Sequence, residues 1–505
     1  MSRFSRFLLI AAVVALALSG AAAASAQKPN VLIVARAADT TGLDPHTQTA
    51  FASLRLLELI YEPLVTLDAD LNIVPLLAEK WEFSEGATVL SMTLRQGVKF
   101  HDGSDFTSAD VKATFERILK EETKAAARST FLGIDSIETP DDYSVVFKLK
   151  TADVPILASF ASVNAVIAPS ELIAEGDFSK KAIGTGPFVL REWKPEEVTF
   201  LDRNPNWWIQ GPAIEGIEMR VIPDESAILA ALRAGEVDFA LLNDPLVATL
   251  LKDDPNITLN RVPAIAYHVF QLNASRAPMD KLEFRQALSC AIDRQEVLDA
   301  ASLGEGTVTG PLTPPAWRID TKELFCYTKD LTKAKELMAK AGVGEVTLKA
   351  IVASAEPPTA LSEAQSIQAQ LAEIGVKLEI EPLELSVYVD RWLKGDFDTA
   401  VALNGGRPDP YTMYVRYWTK TGNLQGVANY IDDTLDSLMA QGRAESDPVK
   451  RKAIFDQFQK HLVEMAPWIW LYNGFEYTAH QKYVEGFIPN PTDSLYSLAA
   501  VILKR

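Results

Sequence analysis

One apolar run, residues 7–18, constrains everything that follows it. It has about the length of a signal-peptide core and is too short to anchor a chain across a bilayer. Arg3 and Arg6 precede it, and small residues follow, ending in Ala24-Ser25-Ala26 before Gln27. That is the A-x-A pattern of a cleavage site. Residues 1–26 read as a signal peptide, with no cysteine at the junction to carry a lipid. No later window repeats such a run. The remaining chain is expected to leave the cytoplasm and to fold in water by burying its apolar residues against one another.

At 505 residues the chain is long enough for two or three domains. A hydrophobic fraction of 48% suits a globular core and argues against disorder. The formal charge of −18 makes nucleic acid and anionic membrane poor partners. Cys290 and Cys326 face an oxidising compartment, so a disulfide is open to them. Cys290 reads equally well as a small buried residue in the apolar-periodic stretch 284–292. The five histidines (His46, His101, His268, His461, His480) show no zinc-like spacing, and no metal or other cofactor is expected.

Strand and helix signals alternate along the chain. Val31-Leu32-Ile33-Val34-Ala35 reads as a buried strand, residues 50–64 as a helix stopped by Pro63, and residues 65–75 as a hairpin. Period-two alternation marks strands within 81–98, 142–150 and 187–201. Ser108 is the candidate N-cap of a helix reaching about Lys120. Gly235 stops a helix over 225–234, and further helices are expected at about 283–301, 331–341, 359–374 and 447–465. Strands are expected at 214–221, 237–241, 266–272, 345–353, 376–382 and 468–472. The absence of a strict βαβ rhythm predicts an α/β protein with mixed sheets. The turn-rich segment 273–278 reads as a crossover between domains.

Several motifs invite a chemical reading. Gly184-Thr185-Gly186 is followed by an extended run and not by a helix, so it lacks the geometry of a phosphate cradle. His101-Asp102 has no accompanying nucleophile pattern and reads as turn chemistry. Trp207-Trp208 reads either as a stacking platform for a sugar or, more simply, as packing at a strand end.

Taken in order, several segments resemble one family. They are 78–82 leading into Leu94-Arg95-Gln96-Gly97-Val98-Lys99-Phe100-His101-Asp102-Gly103, then Phe106-Thr107-Ser108-Ala109-Asp110-Val111, Gly184-Thr185-Gly186-Pro187-Phe188, 201–208, 234–238 and 285–294. This series resembles the extracellular solute-binding proteins of ABC transporters, the peptide/nickel-binding family (family 5), over nearly the whole chain after the leader. The resemblance implies a periplasmic-binding-protein-like fold of the cluster C type, with two lobes, a hinge and three domains. These would be a discontinuous domain I (27–58, 204–274 and 476–505), an inserted domain II (59–203) and domain III (275–475), with crossings near Asn273 and Asn473. It implies a periplasmic monomer without enzymatic activity. Such a protein captures a peptide or peptide-sized solute in a closing cleft and delivers it to an ABC transporter membrane permease.

The resemblance also points to a ligand loop over 401–411. Peptide-binding members carry an acid there, just before an Asp-Pro, that pairs with the ligand's α-ammonium. Anchored on Asp409-Pro410, that position is Gly406 in this chain. A peptide amino terminus would then be buried unpaired, whereas Arg407 offers a fork for a carboxylate or another anion. The candidate ligand-binding residues are Asn404, Gly405, Gly406, Arg407 and Asp409 of this loop, Thr40 and Thr41 opposite, and Tyr267, His268 and Tyr472 beside the crossings. Asp409 reads equally as the N-cap of the helix that follows, and Arg416 as a surface residue. An opine-like, glycosidic or metal-chelate solute is the alternative cargo, although the loop holds no histidine for nickel. A chemoreceptor-presenting sensor and a secreted hydrolase are the alternatives from other classes.

Overall fold

The computed structural model describes residues 30–179, 181–354, 357–445 and 447–505. Residues 1–26, read from sequence as a signal peptide, lie outside these residues. Among them, three sheets of four or more strands carry the fold. The first has seven strands in the order Ile257–Pro263, Phe475–Gln481, Phe239–Leu242, Val31–Arg36, Gly216–Val221, Val198–Arg203 and Phe188–Lys194. Val31–Arg36 pairs in parallel with both Gly216–Val221 and Phe239–Leu242. Its two faces enter different cores, Leu32 and Val34 one and Ile33 and Ala35 the other, which explains its unbroken apolar run.

The second large sheet has five strands in the order Val376–Leu383, Val346–Ala353, Thr399–Asn404, Tyr267–Leu272 and Trp468–Tyr472. Val346–Ala353 runs parallel to Val376–Leu383 and to Thr399–Asn404. Tyr267–Leu272 runs antiparallel to Thr399–Asn404 and to Trp468–Tyr472. The carboxyl ends of Thr399–Asn404 and Trp468–Tyr472 therefore share one edge with the start of Tyr267–Leu272. In the first sheet the end of Phe239–Leu242 shares an edge with the start of Phe475–Gln481 in the same way. Open α/β sheets bind ligands outside such edges.

The chain leaves the first sheet at Pro263, enters the second at Tyr267, and returns between Tyr472 and Phe475. The crossings are thus residues 264–266 and 473–474. Asn473 stitches them together: its Nδ2 donates to the Ala264 carbonyl at 3.2 Å and to the Ala266 carbonyl at 2.9 Å, and its Oδ1 accepts from Thr309. Asn273, read from sequence as the first crossing, lies inside the second lobe. It is 1% exposed and donates to the carbonyls of Gly395 and Phe397, both at 3.0 Å. Its turn chemistry serves a loop and not a passage between lobes.

A four-stranded antiparallel sheet (Ala78–Ser84, Val89–Leu94, Ser144–Leu149, Ile134–Asp141) has a hydrophobic core of its own. The helix Ser108–Leu119 packs on it through Val111, Phe115 and Ile118. Thr107, not Ser108, is the N-cap. Its backbone N–H donates to Asp110 Oδ2 at 2.9 Å, while the Ser108 hydroxyl turns to the Asp141 carbonyl. Strands Phe188–Lys194 and Val198–Arg203, placed within the insertion 59–203 from sequence, hydrogen-bond into the seven-stranded sheet. The helix expected over 50–64 spans Phe51–Leu57. The single helix expected over 283–301 is two, Leu282–Ala291 and Arg294–Ser302. Asp293 breaks it by accepting from the Gln295 and Glu296 amides.

Cys290 and Cys326 form a disulfide across 36 residues with Cα atoms 4.8 Å apart. The GTG segment packs backbone to backbone: Gly186 N–H donates to the Ile60 carbonyl at 2.9 Å, and a Cβ on Gly184 or Gly186 would collide with Ile60. His101 Nε2 bonds the Gly186 carbonyl at 3.0 Å. Trp207 and Trp208 are structural. Their indole N–H groups donate to Glu62, which also accepts from Thr185 and Tyr496.

Candidate functional site

The loop after Thr399–Asn404 lies where the two sheet edges meet. Gly406 abuts the first crossing so closely that a Cβ there would collide with the Ile265 carbonyl. The acid expected from the family pattern has no room at this position. Gly405 lies against Phe51 of the other lobe, a Cβ on it being 3.7 Å from the Phe51 ring. The Gly405 carbonyl accepts from Arg416 Nη2 at 3.0 Å. Arg416, reached one helix further on, thus braces the loop, and its Nε is buried without a hydrogen-bond partner.

Arg407 is half-buried. Its Nη1 donates to the neighbouring Gly406 carbonyl at 3.4 Å. Burial first, and then the positive charge of Arg416, pull its guanidinium pKa down to about 10. Neither arginine forms an ion pair with a carboxylate among the described residues, while Tyr417 and Tyr267 supply the nearby polar groups. Two adjacent guanidinium groups without a counter-ion are costly in a recess, and an anion relieves that cost.

Asp409 is the N-cap of the helix Pro410–Trp418, accepting from the Tyr411 and Thr412 amides. It is also gripped by Arg451 in a two-pronged pair at 2.6 and 3.0 Å. Its carboxylate is committed to the scaffold. Asn404 and Tyr267 are register partners, both buried, with Asn404 Nδ2 3.4 Å from the Tyr267 hydroxyl. His268 and Tyr472 stack at 4.2 Å and converge on Glu363 Oε1, at 2.8 Å from His268 Nδ1 and 2.7 Å from the Tyr472 hydroxyl. Burial works to raise the Glu363 pKa, but His268 and the hydroxyls of Thr359 and Tyr472 outweigh it and hold the pKa below its usual value. These two aromatics line the interior of the second lobe. The Thr40 hydroxyl donates to the Gly42 carbonyl and that of Thr41 to Gln48, with Ser53 Oγ 3.1 Å away, so both already have partners within residues 40–53.

Sequence reasoning missed Glu476, the second residue of Phe475–Gln481. It is half-buried at the sheet edge beside the return crossing. Burial raises its pKa, and the charges of Arg55 and His268 offset part of that rise. Glu58 lies in the same region, pushed up to about 7 by burial despite bonds from Ser494 and the Leu495 amide. Acids thus collect on the first lobe and unpaired arginines on the second. The strand alternation of 475–481 was the available signal, since it places Glu476 opposite the packed faces of Tyr477 and Ala479. Among the described residues no cluster of three or more histidine, cysteine or acidic side chains could hold a metal. A separate groove of about 560 Å³ runs past His101 and Trp193. Its cations Lys181 and Arg191 are already paired with Glu175 and Asp202.

The sequence pattern of the bacterial extracellular solute-binding proteins, family 5 Middle, matches residues 72–425. This chain belongs to that family. The glutathione-binding protein GsiB of Salmonella typhimurium is 28% identical over 480 residues, covering 90% of this chain and 91% of GsiB. Among solved structures, AgaA of A. tumefaciens R10 in complex with agropinic acid superposes with a TM-score of 0.85 at 28% identity, covering 94% of this chain and 99% of AgaA. DppA of Helicobacter pylori in complex with the peptide STSA gives a TM-score of 0.84 at 26% identity, covering 94% and 98%. The mixed α/β architecture of this chain is the family 5 fold, and its function is solute binding. No helix among the described residues is long and apolar enough to cross a membrane.

Proposed function

We propose that this family 5 protein works in the periplasm after loss of residues 1–26. In this reading it captures an anionic, peptide-sized solute between its lobes and hands it, chemically unaltered, to an ABC permease. The pair Arg407 and Arg416, recessed beside the first crossing with no carboxylate partner among the described residues, carries this reading. The ligands named for two relatives, glutathione and agropinic acid, both bear carboxylates, which supports an acidic cargo. The solute would lie with a carboxylate at Arg407 and its remaining polar groups toward Glu476 and the Gly405–Gly406 backbone. Division into a discontinuous first lobe, an insertion and a second lobe is part of the same proposal, with the hinge at residues 264–266 and 473–474. The protein would act as a monomer without metal or cofactor. Closure delivers cargo only if the cargo favours the closed form.

The test is mass spectrometry of small molecules released from natively purified protein, followed by titration of the recovered solute. The expected result is a carboxylate-bearing solute whose affinity falls at least tenfold in Arg407→Ala. Unchanged affinity in that variant, or a solute with no acidic group, overturns the reading. A solute that emerges cleaved would place the protein among hydrolases instead.

A further inference from the structure

The lobes also touch at a place the crossings do not involve. Arg443, at the end of the helix Asp433–Ala444 in the second lobe, donates from Nη2 to Asp153 of the insertion. The Val154 amide donates to the Arg443 carbonyl at 3.4 Å, and Ser129 Oγ reaches Asn423 Oδ1 at 3.3 Å across the same interface. Gly133 makes room for the guanidinium, since a Cβ there would collide with Nη2. The Asp153 side chain is 2% exposed and that of Arg443 is 23% exposed. Burial raises the Asp153 pKa, and Arg443 opposes that rise. The pair is asymmetric: the arginine keeps a path to water and the aspartate has none.

This contact is tied to the ligand loop by consecutive polar contacts. Asp409 ends the loop and caps its helix. Arg451 forks Asp409 and donates from Nε to the Gly442 carbonyl at 2.7 Å, one residue before Arg443. The Arg443 guanidinium also stands 5.5 Å from the centre of the Tyr411 ring, on the helix that Asp409 caps.

We propose that Arg443 and Asp153 form an interlobe latch seated by the ligand loop through Asp409 and Arg451. When the lobes part, Asp153 regains water. A closed form without Arg443 would bury Asp153 unpaired, and that penalty falls on the closed form alone. Loss of the arginine therefore opens the molecule, and neutralising both partners lets it close again.

The test uses the full-length mature protein without added solute, carrying Ser129→Cys and Asn423→Cys. The rate of oxidative cross-linking between these positions counts closures even when they are brief. Cys290 and Cys326 are already joined and leave no competing thiol. Relative to the parent pair, Arg443→Gln is expected to slow cross-linking at least tenfold, and adding Asp153→Asn to restore it to within threefold. Asp153→Asn alone is expected to slow it less than Arg443→Gln does, because Arg443 can turn to water. Arg451→Gln, which leaves both latch residues in place, is expected to slow it several-fold. Each variant's thermal melting is recorded to confirm that it folds, and Asp153→Asn, with the double neutral variant, serves as the test if Arg443→Gln does not. A parental rate in Arg443→Gln, or a double neutral variant no faster than the slower single one, overturns the proposal. A parental rate in Arg451→Gln overturns its coupling to the loop.

Discussion

Replacing Glu62 tests how the first lobe is knotted together. Its carboxylate, 0% exposed, accepts four hydrogen bonds from three distant segments. Oε1 takes the Trp207 indole at 3.0 Å and the Tyr496 hydroxyl at 2.5 Å; Oε2 takes the Thr185 hydroxyl at 2.7 Å and the Trp208 indole at 2.8 Å. In Glu62→Gln one oxygen becomes an NH2 group. Whichever it is, that group faces one hydroxyl and one indole. The hydroxyl can turn and accept, but an indole N–H only donates. One buried donor is left without a partner, at about 2 kcal/mol. In Glu62→Leu both indoles and both hydroxyls lose their acceptor, and the loss rises to about 4 kcal/mol or more. Chemical denaturation followed by tryptophan fluorescence reads these losses, because Trp207 and Trp208 are the affected reporters. Hydrogen exchange at residues 184–188 should rise in parallel. If Glu62→Leu unfolds at the parental midpoint, or if Glu62→Gln is the weaker of the two, the four-donor argument fails.

Three further outcomes are expected. The Cys290–Cys326 disulfide closes a 36-residue separation, so Cys290→Ser with Cys326→Ser should cost about 4 kcal/mol by chain entropy, measured by denaturation with and without reductant. Burial lowers the His101 pKa to about 4, with the Gly186 carbonyl and Asp102 partly opposing. The unfolded chain therefore binds the extra proton between about pH 6.5 and 4, and stability present above pH 6.5 is lost as pH falls through that window. At pH 5 this amounts to about 2 kcal/mol relative to pH 7, and His101→Gln should remove that share of the slope in melts recorded across the range, leaving the share of His46, whose pKa burial also lowers to about 4. Gly406→Ala should force the ligand loop away from the Ile265 carbonyl. Binding of the co-purified solute should then weaken at least tenfold, while far-ultraviolet circular dichroism stays at the parental spectrum.

Local chemistry was legible wherever neighbours in sequence settle it. The helix Glu225–Ala234 begins at the Asp224 cap and ends at a left-handed Gly235, as the residues require. The extended run after Gly184-Thr185-Gly186 ruled out a phosphate cradle, and the packing of both glycines on Ile60 gives the reason for them. Passage between lobes was not legible. Residues 264–266 look like the start of an apolar strand, and residues 273–278 look like a linker. Only long-range pairing of Tyr267–Leu272 with Thr399–Asn404 and Trp468–Tyr472 distinguishes them. The candidate site divided along the same line. Arg407 was visible because its loop is contiguous. Its partnership with Arg416 depends on how a helix folds back on that loop, and the arrival of Glu476 beside His268 depends on two lobes meeting. His268 and Tyr472 were placed near the right edge, yet strand alternation turns them inward to Glu363.

The amide of Asn473 ties the outgoing and returning chains to each other. Two tethers fastened together behave as the spine of a book. On the hinge proposed above, the halves would swing about that line, and sliding or spinning one past the other would break the tie.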